Sequence, residues 1–169
     1  AVGYNALKSS TTGQSNVALG GNSLQNNTIG DNNTAVGTSA LSSNTTGVSN
    51  VAVGTGALAA NTTGAFNTAI GAAALISNSI GCSNTAVGTN AACSITSGIA
   101  NVGLGGGALA FVTTGNNNVG FTIGISFLDT RITPQTTQIL KLTTGKDFKI
   151  KSITLSTLEF NVSIDNVPS

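Results

Sequence analysis

The sequence has no histidine, tryptophan or methionine, and only 7% of its 169 residues are charged. Soluble globular domains carry about a quarter charged residues, so this chain depends on Asn, Thr and Ser for its polar surface. The absence of histidine excludes the serine and cysteine triads in their usual forms and removes the commonest zinc ligand. A net charge of +1 gives no electrostatic footprint for nucleic acid or for an anionic membrane.

Several other kinds of site also lack the residues they need. No run of about eighteen apolar residues occurs, so we expect no membrane insertion. A calcium-binding β-roll needs an aspartate in every repeat, whereas Asp31 is the only one before Asp129. The glycine run at Gly103–Gly107 is not followed by the Lys and Ser/Thr of a phosphate-binding loop. We therefore predict that the protein is not an enzyme and holds no cofactor or metal.

What the chain does have is a repeat of seventeen residues. Asn33–Ser49 is NTAVGTSALSSNTTGVS, and Asn50–Phe66 is NVAVGTGALAANTTGAF. Counting each unit from its first asparagine, position five is glycine in all seven units from Gly3 to Gly105, and position fifteen is glycine in all seven from Gly13 to Gly115. Position one falls, without any insertion, at Asn16, Asn33, Asn50, Asn67, Asn84, Asn101 and Asn118. Such strict self-similarity indicates a stack of equivalent coils. Because the chain enters this frame in mid-unit, we expect it to be a fragment.

The residue types predict strand and turn in every unit. Glycine and asparagine interrupt each unit too often for a helical stripe. We interpret the large apolar residues at positions four and nine, such as Val36 and Leu41, as the core. Gly37 and Gly47 are expected at corners with a positive φ. The small position three, represented by Ala35, predicts a close approach, either inside a thin coil or to a neighbouring chain.

The predicted fold is therefore all-β, a parallel β-roll or β-solenoid of seven seventeen-residue coils over residues 1–121. Equivalent residues would stack about 4.8 Å apart, the spacing of hydrogen-bonded strands. Asparagine amides could then bond along their columns as ladders. The candidate ladder residues are Asn33, Asn50, Asn67 and Asn84 at position one, with Asn44 and Asn61 at position twelve. A core this thin favours association between chains.

Residues 122–169 have a different composition. Lys8 and Asp31 are the only charges in the first 128 residues, whereas the last 41 contain nine. Residues 158–164 alternate apolar and polar side chains with a period of two, which predicts a β-strand. We predict a small antiparallel β unit here. Its simplest role is to cap the open end of the stack, and a receptor-binding tip is the alternative.

One motif of the repeat resembles a known family. Asn33–Gly37, Asn50–Gly54, Asn67–Gly71 and Asn84–Gly88 share the pattern N-[TV]-A-[VI]-G, with a small residue and Ala-Leu following in the best units. This pattern resembles the head repeats of trimeric autotransporter adhesins and the repeats of phage and large-virus fibre proteins. The resemblance implies a left-handed β-roll, a homotrimer and attachment to host matrix or receptors. The period of this chain is longer, and its extra residues fall in the N-T-T-G segment.

Together these features predict a structural and adhesive fibre segment, extracellular or on a virion or cell surface. Its expected partners are further copies of itself and a host glycan or protein. The alternative is an ice-binding solenoid that presents threonine columns. A flat double row of threonines would need them two residues apart, because neighbouring residues of a strand point to opposite faces, whereas this repeat has them at adjacent positions. The candidate binding columns are Thr45, Thr46, Thr62, Thr63, Thr113 and Thr114.

Two further features leave alternatives open. Cys82 and Cys93 are expected to be small, partly buried thiols, although a bridge between them is possible in an oxidising compartment. N-glycosylation triplets begin at Asn26, Asn32, Asn44, Asn61 and Asn161. An Asn- and Thr-rich repeat generates such triplets by itself, so we do not predict glycosylation from them.

Overall fold

The computed structural model describes residues 1–122, and all structural statements below refer to them. Their regular structure is seven short strands, with no helix, and hence none that could cross a membrane. Each strand covers positions two to four of its repeat unit. The strands are β1 (Val17–Leu19), β2 (Thr34–Val36), β3 (Val51–Val53), β4 (Thr68–Ile70), β5 (Thr85–Val87), β6 (Val102–Leu104) and β7 (Val119–Phe121).

The seven strands form one parallel sheet in sequence order. Each residue pairs with the residue seventeen positions further on, as Ala35 does with Ala52. The sheet therefore grows by one strand for every coil, and the remaining fourteen residues of each unit return the chain to its start. This arrangement confirms the predicted all-β parallel solenoid with seventeen-residue coils.

The core consists of small and polar residues as much as of large apolar ones. Leu41 and Leu58 at position nine are completely buried, as are the asparagines of position one from Asn33 to Asn84 and those of position twelve. Alanine is the usual residue at positions three and eight, for example at Ala35 and Ala40, which are also completely buried. Position three thus makes its close approach inside the coil of its own chain. Each coil contributes one large apolar side chain to its interior.

The interpretation of position four as core is wrong. Val53 and Ile70 are 37% and 41% exposed, while Ala52 and Ala69 beside them are completely buried. Successive side chains of a strand point to opposite faces, so an inward position three forces positions two and four outward. The coil interior accepts alanine at this point, and the larger residues stand on its outer surface.

The two glycine columns serve different purposes, which corrects the prediction that both turn through a positive φ. At position five, Gly54 has φ +132°. A Cβ atom there would lie 2.5 Å from the carbonyl oxygen of Gly71 in the next coil. At position fifteen, Gly98 has no positive φ, but a Cβ atom would lie 2.5 Å from the carbonyl oxygen of Gly115. Close stacking alone therefore requires glycine at position fifteen.

Besides position five, positive φ occurs at three columns that usually lack glycine. Position seven is represented by Ser39 at φ 57°, position nine by Leu41 at 51°, and position seventeen by Ser49 at 56°. The left-handed region costs a residue with a side chain roughly 1–2 kcal/mol. The position-nine residue, leucine in all coils but one, is thus held in an unfavourable backbone conformation by its surroundings.

One coil solves its packing differently. Position nine is Ala92 instead of leucine, and position twelve of the same coil is Ile95 instead of asparagine. Both side chains are almost completely buried. Ile95 therefore supplies the large apolar group that Ala92 lacks, and this pair of exchanges keeps the coil interior filled.

The chain divides into a unit of Ala1–Gly124 and a unit of Ile125–Ser169. The predicted antiparallel unit of residues 122–169, its role as cap or tip, and the triplet at Asn161 lie outside the described residues.

Candidate functional site

The asparagines of position one form a continuous ladder through the interior. The Oδ1 of Asn50 accepts hydrogen bonds from the backbone N–H of Asn67 at 3.0 Å and from its Nδ2 at 3.1 Å. The Nδ2 of Asn67 also donates to the carbonyl oxygen of Gly81 at 2.8 Å. Equivalent bonds link Asn33, Asn50, Asn67 and Asn84 and continue to Asn118. This column joins neighbouring coils and is buried from Asn33 to Asn101.

The asparagines of position twelve form a second, shorter ladder. The Nδ2 of Asn44 donates to Oδ1 of Asn27 at 2.8 Å, and the Nδ2 of Asn61 donates to Oδ1 of Asn44 at 2.8 Å. The ladder ends at Asn78, because Ile95 follows it in the column and has no donor. The Oδ1 of Asn78 is buried without a hydrogen-bond partner among the described residues. Both ladders therefore have a structural function.

The hydroxyl groups of the position-thirteen threonines also form hydrogen bonds between neighbouring coils. The Oγ1 of Thr45 donates to the carbonyl oxygen of Thr62 at 3.1 Å, and the Oγ1 of Thr62 donates to that of Ser79 at 3.0 Å. The same Thr62 oxygen accepts the backbone N–H groups of Thr45, Thr46 and Gly47. Thr45 and Thr62 are half-buried, and their hydroxyl hydrogens are already in use.

The threonines of position fourteen are the accessible ones. Thr46 and Thr63 are exposed, and none of the described hydrogen bonds uses their side chains. Thr113 and Thr114 in the last complete coil are exposed as well. The two threonine columns predicted as a binding surface thus differ, since position fourteen faces solvent while position thirteen mostly holds coils together.

The outer face of the sheet carries a continuous apolar stripe. It consists of position four of each unit, which we call the outer stripe: Val2, Leu19, Val36, Val53, Ile70, Val87, Leu104 and Phe121. Leu19, Ile70 and Leu104 are 48%, 41% and 36% exposed. At strand spacing the stripe is about 34 Å long. An exposed apolar stripe of this kind is the surface in this part of the chain best suited to contact with another molecule.

Chemically reactive groups are scarce on this surface. Lys8 and Asp31 are the only charged side chains among residues 1–122, and Asp31 accepts the backbone N–H of Gln14 at 2.6 Å. This part of the chain brings together no group of three or more potential metal ligands. Cys82 and Cys93 are both half-buried and unbridged. The surface is therefore neutral, with hydroxyls, amides and exposed aliphatic groups.

Comparisons with protein-family models, with curated proteins and with solved structures gave no significant match for this chain.

Proposed function

We propose that this protein is a non-enzymatic segment of a surface fibre, of viral, phage or bacterial origin, in which three chains associate side by side. The observation that carries the proposal is the outer stripe. Every coil places a large aliphatic or aromatic residue on the outer face of its strand, although the neighbouring position, which points into the core, holds only alanine or glycine. A lateral partner would remove this surface from water at about 25 cal/mol per Å².

The internal bonding of the coils supports a mechanical role. The buried asparagines, the glycine columns and the position-thirteen threonines all connect one coil to the next. Such a solenoid gains stability from each neighbouring interface, and its length can vary with the number of repeats. These properties suit a rigid spacer that presents a surface at a distance.

The association can be tested with substitutions that keep the strand. Val53→Thr, Ile70→Thr and Val87→Thr retain β-branched side chains but make the outer stripe polar. We expect sedimentation of the unsubstituted full chain to give a trimer, and the triple variant to give a monomer. The control is Ile29→Thr with Ile80→Thr, the same chemistry at position fourteen, where other coils hold threonine. A monomeric unsubstituted chain at all concentrations would refute lateral association.

Attachment to a host glycan or protein would use the exposed hydroxyl surface. Thr46, Thr63 and Thr114 point to solvent in one column, and a neutral surface suits an uncharged ligand. A glycan array probed with the full chain tests this part of the proposal. Replacing these three residues by alanine should abolish binding, whereas the same change in the exposed threonines of position six should not. The position-six threonines are Thr38, Thr55 and Thr89.

The second candidate function is ice binding, and one observation favours it. Three of the seven strands, β2, β4 and β5, carry Thr-x-Val or Thr-x-Ile on the outer face, with Thr34, Thr68 and Thr85 beside the outer stripe, and Thr68 pairs directly with Thr85 in parallel register. This array lies on the same face that a trimer would bury. Thermal hysteresis by a monomeric chain would therefore favour ice binding, and normal freezing would exclude it.

A further inference from the structure

The structure separates the N-glycosylation triplets of the repeat into two classes. Asn26 and Asn32 are exposed, whereas Asn44 and Asn61 are completely buried. All four precede the Ser or Thr that the glycosylation machinery requires two residues later. The glycosylation pattern alone does not distinguish them, because all four triplets have the form Asn-x-Thr.

Both Nδ2 hydrogens of each buried asparagine are already used in hydrogen bonds. The Nδ2 of Asn44 uses both of its hydrogens, one for Oδ1 of Asn27 at 2.8 Å and one for the carbonyl oxygen of Gly47 at 3.0 Å. The Nδ2 of Asn61 makes the same two bonds, to Asn44 at 2.8 Å and to Gly64 at 3.0 Å. Neither nitrogen can be modified without losing a bond between coils.

N-glycosylation forms a bond between Nδ2 and the anomeric carbon of an oligosaccharide. The lipid diphosphate that carried the sugar leaves, and one Nδ2 proton is released. A glycan at Asn44 or Asn61 would therefore replace a ladder hydrogen and require a hydrophilic polymer inside a closed coil. Buried polar groups without partners are strongly unfavourable, so such a chain cannot close its coils.

We propose that glycosylation at Asn44 or Asn61 and folding of the solenoid exclude each other. It follows that the chain folds productively only where these two triplets stay unmodified, as they do in a compartment without N-glycosylation. Among the triplets in the described residues, only Asn26 and Asn32 can carry a glycan on the folded protein. This proposal is independent of the proposed fibre function, because it concerns only the interior of the coils.

The test directs the full chain into a eukaryotic secretory pathway with an added signal sequence. All versions carry Asn161→Gln, so that only the described triplets remain. Thr46→Ile with Thr63→Ile destroys the two buried triplets and leaves both ladders intact. Isoleucine already occupies this column at Ile29 and Ile80. The matched control, Asn26→Ser with Asn32→Ser, destroys the exposed triplets, using serine as other coils do in these columns.

We expect the starting chain and the Asn26/Asn32 control to be glycosylated at the buried triplets, retained and protease-sensitive. Secretion of protease-resistant chain should rise severalfold in the Thr46/Thr63 variant. Blocking synthesis of the lipid-linked sugar donor should raise secretion of the starting chain to the level of the Thr46/Thr63 variant. This measurement needs no substitution at Thr46 or Thr63, so it still tests the proposal if those substitutions impair folding. Protease-resistant protein with a glycan on Asn44 or Asn61, equal secretion of starting chain and variant, or no rescue by the block would overturn the proposal.

Discussion

Four successive coils hold an asparagine at position twelve, from Asn27 to Asn78, whereas the next two hold Ile95 and Val112 in the same column. The first group is linked through this column by side-chain hydrogen bonds, and the second group has none there. The backbone of the sheet nevertheless continues in the same register through both regions. The position-twelve ladder is therefore one of two ways to fill the same space.

The position-one ladder behaves differently, because it passes through both regions without a break. The Nδ2 of Asn84 still donates to the carbonyl oxygen of Gly98 at 2.7 Å where Ile95 has replaced the other amide. That oxygen keeps a side-chain donor, so the exchange at position twelve leaves only the Oδ1 of Asn78 unpaired. The asparagines of position one occur in both regions, and we infer that the stacking of coils requires them. The asparagines of position twelve occur in one region only, so an apolar residue can take their place.

The largest expected effect concerns a shared glycine column. A Cβ atom at Gly54 would lie 2.5 Å from the Gly71 carbonyl oxygen, and one at Gly88 would lie 2.6 Å from the Gly105 carbonyl carbon. Backbone strain and collision together should make Gly54→Ala or Gly88→Ala cost more than about 4 kcal/mol of unfolding free energy. Urea unfolding of the full chain measures this loss, which should be similar in both regions.

The control for the glycine variants is Gly21→Ala, which we expect to be nearly neutral. Gly21 has no positive φ, a Cβ atom there would meet nothing within 4 Å, and Ala72 occupies the same position in another coil. A large loss of stability in this control would show that any added side chain is harmful. The close contact between coils would then not be the cause.

The next effect separates the two ladders directly. Asn67→Ala removes the acceptor of the Asn84 backbone N–H, and it also removes one of the two acceptors of the Asn84 Nδ2. Because each buried group left unpaired costs about 1–3 kcal/mol, we expect a loss of about 2–5 kcal/mol. Asn78→Ala leaves one acceptor, the Oδ1 of Asn61, without its donor and should cost about 1–3 kcal/mol. Equal losses in urea unfolding would contradict the distinction between required and replaceable columns.

Two substitutions should move the boundary between the coils with asparagine at position twelve and the coils with an apolar residue there. Ala92→Leu alone overfills the space beside Ile95, and Ile95→Asn alone leaves a cavity beside Ala92, so each should cost about 1–3 kcal/mol. The double variant restores the combination found at Leu75 and Asn78, while the unpaired acceptor only moves on by one coil. We expect the double variant to lie within about 1 kcal/mol of the original, so that the two changes are strongly coupled.

Calorimetry or urea unfolding of the four versions gives this coupling energy. Additive losses would mean that the two exchanges in this coil arose independently, and that Ile95 does not fill the space that Ala92 leaves. Hydrogen exchange provides a local readout, because protection should fall in the coil of Ala92 and Ile95 in each single variant and return in the double variant.

Much of this architecture could be predicted from the sequence because the repeat never changes length. The period placed the strands, the parallel register and the stacked asparagines. It did not say which face of the strand is inside, since Ala35 and Val36 are both apolar and a period of two fits either orientation. The invariant small size of position three was the available signal. A larger residue there would not fit between the return segments of the coil.

The left-handed backbone of the core leucines could not be predicted in the same way. Leucine has no preference for positive φ. At Leu58 the backbone N–H donates to the carbonyl oxygen of Ala74 in the next coil, and the Leu58 carbonyl oxygen accepts from Asn61 of its own coil. The difference between Thr45 and Thr46 was equally hidden, since both belong to the same N-T-T-G segment. Their roles depend on which hydroxyl reaches the carbonyl of the next coil.

The smallest expected effect tests that difference between threonine columns. Thr62→Val removes the hydroxyl that donates to the Ser79 carbonyl oxygen and should cost about 0.5–1.5 kcal/mol. Thr96→Val, in the region without the position-twelve ladder, loses the equivalent bond to Thr113 and should cost the same. Thr63→Val changes only an exposed side chain and should stay within about 0.5 kcal/mol of the original. If urea unfolding ranked Thr63→Val with the other two, position thirteen would not be the column that holds the coils together.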